Sequence, residues 1–141
     1  MKKKQKYYVY VGQLQKEFAN TKAAKSKNPN ADPNKTCLYV GYSTKPPRER
    51  WKQHLTKART KNDYPLYSEK AAKWGENYIH WRKFKKYNPI YSTTAYKAKN
   101  IEKSLAKKFR DKGHTVWSDM LKKEKDGFSL VTLANQPVRV L

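Results

Sequence analysis

Between Leu38 and Leu55 the hydrophobic period of the chain changes from two to about 3.6 within a few residues. Apolar Leu38 and Val40 alternate with Cys37 and Tyr39, the repeat of a half-buried strand, and Gly41 closes it. Pro46 and Pro47 then suit a helix entry, where a missing N–H costs nothing and φ is already near its helical value. Trp51, Leu55 and Ala58 recur at i, i+4 and i+7 and predict that helix's buried stripe. Arg50 and His54 are four apart and share an adjoining face. The pattern is a strand, a tight turn, and a helix that presents a guanidinium and an imidazole near the strand's end.

Upstream, residues 7–11 read as a strand by β-propensity, with Tyr8 and Tyr10 on one face and Tyr7, Val9 and Val11 on the other. Antiparallel pairing with residues 37–41 would bring Tyr10 towards Tyr39. The intervening residues 12–36, rich in Lys, Asn and Pro and without an apolar period in their second half, read as an inserted basic loop. Downstream, residues 62–65 give a turn signal and residues 66–74 a short helix closed by Gly75. Residues 78–87 then read as a third strand anchored by Ile79, Trp81 and Phe84, ended by Asn88-Pro89.

A long helix is predicted over residues 95–112, with Thr94 placed to cap it and Gly113 just past its end. Its apolar row of Ile101, Leu105 and Phe109 runs beside Ala98, Glu102 and Ala106, so one carboxylate is flanked a turn away by small side chains. Residues 118–125 read as a short helix and 128–133 as a last strand. Nothing repeats and no linker interrupts the chain, so residues 1–141 are expected to form one domain. The fold class is α/β (α+β), a small mixed, mainly antiparallel sheet of three strands surrounded by helices.

Composition alters this picture in one respect. Leu, Ile, Val and Phe make up under a fifth of the 141 residues, and with a net charge of +22 that balance is typical of disorder. Eleven Tyr and four Trp offset it, because they supply large, partly apolar surfaces within the periodic segments. The 33 basic against 11 acidic residues predict a polyanionic partner, nucleic acid first. A membrane partner is not expected, since no stretch approaches eighteen apolar residues. A single cysteine and a basic, non-apolar start point to the cytoplasm, of a bacterium or a phage-infected host.

The ordered set of tyrosines, glycine, arginine, histidine and glutamate resembles the GIY-YIG endonuclease family. Tyr39-Val40-Gly41 is similar to its second signature, and Arg50 and His54 to the arginine and histidine that open its first helix. Tyr8-Val9-Tyr10 stands at the first signature, with Tyr10 keeping the family residue and Tyr8 where a glycine is usual. Residues 12–36 replace what is a short turn in most of the family. The resemblance covers roughly residues 8–113 and leaves 114–141 as a C-terminal extension. It implies a metal-dependent DNA endonuclease of phage, restriction, homing or repair type, working as a monomer or as a homodimer on DNA.

The resemblance also assigns roles. Glu102 would hold one divalent cation, Mg²⁺ with Mn²⁺ as a substitute, in keeping with one hard carboxylate completed by water and phosphate oxygens. Arg50 would offset charge at the phosphate through two parallel N–H bonds, with Arg48 as the rival arginine. One of Tyr10 and Tyr39 would be the general base for the attacking water and the other would position it. A free phenol, with pKa about 10, is ionised in about one molecule per thousand at neutral pH, and a metal, Arg50 and nearby lysines all favour the phenolate. His54 would take a proton from that tyrosine or bind phosphate. DNA contacts are expected from Gly41, Arg48 and Lys52, from Lys25, Lys27 and Lys35 in the basic loop, and from Asn135, which resembles a late asparagine used near the metal by some members. His80 and His114 are expected to be structural, and no zinc site is expected. The reading from another class is a non-catalytic basic protein that binds nucleic acid through phosphate contacts and aromatic stacking. It accounts for the charge equally well, but not for the order of the six residues.

Overall fold

The structure, a computed structural model, describes residues 3–118. Its centre is strand β1 (Gln5–Leu14), twice the expected length because its pairing with neighbouring strands extends back to Gln5 and on past Val11 to Leu14. Strand β2 (Cys37–Ser43) pairs with it antiparallel, Tyr10 opposite Gly41 and Gly12 opposite Tyr39. The pairing expected from the two signatures is therefore present. Helix α2 (Pro47–Leu55) begins with proline in its first turn, as expected. It ends at Leu55, so Ala58 lies outside it, and its buried side chains are Trp51 and His54.

The other edge of β1 corrects the expected third strand. Of residues 78–87 only Tyr78 and Ile79 are strand, and two short 3-10 turns follow, Trp81–Lys83 and Lys85–Tyr87. The pairing is done by β3 (Gly75–Ile79) near the end of β1 and β4 (Ile90–Ser92) near its start. Between these strands Asn88 stands in for a strand, its Nδ2 donating to Val9 O (2.6 Å) and its Oδ1 accepting the Val9 N–H (2.8 Å). Backbone groups at mid-edge are thus satisfied without a continuous ladder. Helix α3 (Glu69–Trp74) is shorter than expected, because Ser68 accepts from Ala71 N as its cap. Gly75, expected to close it, also opens β3.

Helix α4 (Tyr96–Asp111) matches its expectation to within a residue at each end, and Gly113 follows it with φ +99°. A strand that the sequence pattern did not reveal, β5 (Thr115–Trp117), then pairs parallel with Cys37–Tyr39 of β2. Among the described residues the sheet has five strands, mostly antiparallel, instead of three, in the order β3-β1-β2-β5 with β4 beside β1. The helix expected over 118–125 and the strand over 128–133 lie outside the described residues.

Residues 12–36 are not a bare inserted loop. Gly12–Leu14 finish β1, residues Lys16–Asn20 form a 3-10 turn, and helix α1 (Lys22–Lys27) follows, capped by the Thr21 side chain. Phe18 is fully buried between Trp74 and Trp117, with ring centroids 6.0 and 5.9 Å away. Asn28 is buried too. Its Nδ2 donates to Ala24 O (2.8 Å) and Val116 O (3.0 Å), and its Oδ1 accepts from Val116 N (2.9 Å) and Arg110 Nε (3.2 Å). One side chain thereby ties α1 to β5 and α4. Among the described residues no helix is long and apolar enough to cross a membrane.

Candidate active site

The site follows from the unequal lengths of β2 and β5. Because β5 pairs only with Cys37–Tyr39, no described strand covers that edge of β2 from Val40 to Ser43. A cleft of ≈ 480 Å³ opens there, lined by Tyr10, Tyr39, Gly41, Tyr42, Arg50 and Glu102, with Lys45, Gln53 and Tyr67 at its sides. Five separate segments of the chain supply it. Five of the sequence-derived site residues are therefore brought together, and His54 stands directly behind Tyr10.

Tyr10 and Tyr39 lie on one face of the sheet under α2, their rings stacked with centroids 6.1 Å apart. Trp51 and His54 pack edgewise or tilted on both, so the tyrosines are held by rigid aromatic neighbours. Gly41 makes this possible. A Cβ there would fall 2.5 Å from the Tyr10 hydroxyl, so any other residue would displace the phenol from the cleft.

His54 is fully buried, and burial first, then the nearby Arg50 cation, push its pKa down to about 3. The ring is neutral at physiological pH. Its Nδ1 accepts the Ser68 N–H at 2.9 Å, and a backbone amide can only donate, so the ring proton must sit on Nε2. Nε2 lies 2.8 Å from Tyr10 Oη. The imidazole therefore donates to the phenol oxygen in this arrangement, which replaces the expectation that it takes the phenol's proton.

Arg50 Nη1 donates to Gln53 Oε1 (3.0 Å) and to the Leu66 carbonyl. Both bonds use one nitrogen of a group with five N–H donors, so the guanidinium is oriented and keeps donors for an anion. Arg48 and Lys52 point to the opposite flank of α2 and line a different groove. Of the two arginines, Arg50 is the one in the cleft.

Glu102 is buried at the cleft's inner end and accepts a short hydrogen bond from the Ser118 hydroxyl at Oε2. Tyr42, on the opposite sheet face from Tyr10 by strand parity, reaches the same place. Its pKa is pushed up to about 12, by burial first and then by the Glu102 carboxylate. Tyr42 consequently stays a phenol, able to donate but not to act as a base near neutrality. Neither Tyr42 nor Ser118 was assigned from sequence. Strand parity beyond Gly41 could have flagged Tyr42, whereas Ser118 carries no sequence signal.

The remaining expected contacts lie elsewhere. Lys25 and Lys27 are on α1, and Lys35 precedes β2 at the end remote from Ser43. Asn135 is outside the described residues. Burial lowers the pKa of His80 and His114, which bond to Gln13 and Thr36 and stay away from the cleft.

As to metal, no cluster of three His, Cys, Asp or Glu side chains exists among the described residues. The buried Glu102, the one acidic side chain among the described residues lining the cleft, with the Ser118 hydroxyl on Oε2 and the Tyr42 phenol near it, fits a hard cation that keeps most of its water, as Mg²⁺ does, and does not fit an all-protein cage. No protein-family model, curated protein or solved structure matches the chain.

Proposed function

We propose that this protein is a divalent-metal-dependent DNA endonuclease of the GIY-YIG kind, cutting phosphodiester bonds by hydrolysis. The observation that carries the reading is the convergence of Tyr10, Tyr39, Arg50 and Glu102, from separate elements, on one cleft. A polyanionic substrate suits a chain of net charge +22.

Each side chain has a task it can perform from its place. The Nε2–H of His54 favours the Tyr10 phenolate by donating to it, which makes Tyr10 the general base for the attacking water. Tyr39, stacked beside it, positions that water. Arg50 holds the scissile phosphate through N–H groups not spent on Gln53 and Leu66, and stabilises the charge that builds in the transition state. Glu102 would hold Mg²⁺, with Ser118 fixing the carboxylate's orientation. When bound, the cation neutralises charge at the phosphate and the leaving oxygen.

Incubation of supercoiled plasmid and single-stranded circles with the protein, with and without Mg²⁺, tests the reading. Nicking that needs the metal and vanishes in Glu102→Gln is expected. Tight binding without any nicking would leave a non-catalytic nucleic-acid-binding protein.

A further inference from the structure

On the flank of α2 opposite the cleft lies a second groove, of ≈ 580 Å³, whose lining includes Arg48, Trp51, Lys52, Tyr78, Ile79 and Trp81. Trp51 and Ile79 belong to or pack on the core and form its apolar floor. Tyr78 and Trp81 are 53% and 48% exposed, an arrangement that leaves large apolar rings in water. Cations flank Trp81, while the His80 ring stands edgewise to Tyr78. Lys85 Nζ and Arg82 Cζ lie 4.7 and 5.8 Å from the Trp81 ring centroid, and no carboxylate is among the lining residues.

Aromatic faces interleaved with cations match an unpaired nucleotide on both its parts, π-face and phosphate. Intact duplex would engage the cations but leave the rings idle, because its bases are already stacked on one another. We propose that this groove binds an unpaired base of a single-stranded DNA segment, with Trp81 and Tyr78 stacking and Arg48 and Lys52 on the adjoining phosphates. The inference rests on the nuclease reading in one respect, since it names the kind of DNA that reaches the cleft: a flap, overhang or loop next to the scissile bond. Trp51 links the two sites. It walls the groove while its ring centroid lies 6.3 Å from that of Tyr10 and 5.8 Å from that of Tyr39.

The test is binding of an oligo-dT strand and of a blunt duplex with the same number of phosphates, in EDTA, followed by tryptophan emission and by anisotropy of labelled DNA. Oligo-dT is expected to quench emission, because Trp51 and Trp117 are buried, Trp74 is partly buried and outside the groove, and Trp81 is open. Trp81→Ala should remove most of the quench and weaken oligo-dT binding about five- to a hundred-fold, as loss of one stacking platform does. Duplex affinity of Trp81→Ala should change less than two-fold, which also shows that this variant folds, and Trp81→Phe should restore most of the oligo-dT affinity. Wild-type oligo-dT affinity in both Trp81→Ala and Tyr78→Ala overturns the proposal, as does an equal loss on oligo-dT and duplex. No scission enters this readout, so its failure leaves the nuclease assay untouched, and a protein without nuclease activity could still pass it.

Discussion

His54 Nε2 lies 2.8 Å from Tyr10 Oη, and of these two residues the histidine is the donor. The Ser68 amide, bonded to Nδ1, decides this from the far side of the ring. A buried neutral imidazole so pinned cannot collect the phenol's proton, but it can lower the cost of losing it.

His54→Phe should therefore move the rising limb of the nicking-rate pH profile upwards by one to two units. A hydrogen bond to a charged group contributes about 1.5–3 kcal/mol, and one unit corresponds to about 1.4 kcal/mol. His54→Gln, whose amide can accept from Ser68 and donate to Tyr10, should recover part of the shift. Rates measured from pH 6 to 10 check this, and a limb that stays in place in His54→Phe would remove Tyr10 from the role of base.

The same histidine predicts how stability depends on pH. Its folded pKa, about 3, is below the ordinary 6.5, so the unfolded chain binds the proton more readily. The stability from the neutral buried ring is fully present above pH 6.5 and is lost as pH falls towards 3, with a slope of up to about 1.4 kcal/mol per unit. Urea midpoints between pH 7.5 and 4 should fall more steeply for wild type than for His54→Phe. Equal slopes would mean that the ring is not held neutral.

At the cleft, Glu102→Gln should abolish nicking while gel-shift affinity stays within a few-fold, since the amide keeps the shape but loses the charge a hard cation requires. Arg50→Lys should impair turnover nearly as much as Arg50→Ala, because an ammonium cannot reproduce the guanidinium fork. Arg48→Ala, on the other flank of α2, should leave turnover of bound plasmid close to wild type. A reversed order for the two arginines would move the phosphate site.

Residues 16–36 should prove indispensable to folding, unlike the inserted basic loop that the sequence pattern suggests. Phe18→Ala opens a hole between Trp74 and Trp117 and should destabilise by about 3–5 kcal/mol. Asn28→Ala leaves buried Val116 N–H and C=O groups without this partner, costing about 1–3 kcal/mol for each. Thermal melts of both variants, and of a chain with 16–36 cut to a short turn, give the answer. A cooperative wild-type melt in the shortened chain would refute it.

Where local periodicity dominates, the chain alone determined the outcome. The alternation at Leu38–Gly41, the proline entry to α2 and the apolar row of α4 each concern neighbours within one element, and all three elements form, although β2 is buried on both faces and runs through Gly41 to Ser43, and α2 stops short of Ala58. The approach of Tyr10 to Tyr39 on one sheet face follows as well, because strand parity fixes which side chains share a face. Other features depend on partners distant in sequence. Thr115–Trp117 is too short to carry a period and is a strand only because β2 offers an edge. Phe18 and Asn28 look like loop residues until Trp117 and Val116 arrive beside them. The site divides in the same way: residue types and order marked Tyr10, Tyr39, Arg50, His54 and Glu102, but which arginine faces the cleft is set by how α2 is rotated against the sheet. The tautomer of His54 depends on a backbone amide fourteen residues away, and no side-chain pattern encodes the position of an N–H that every residue except proline possesses.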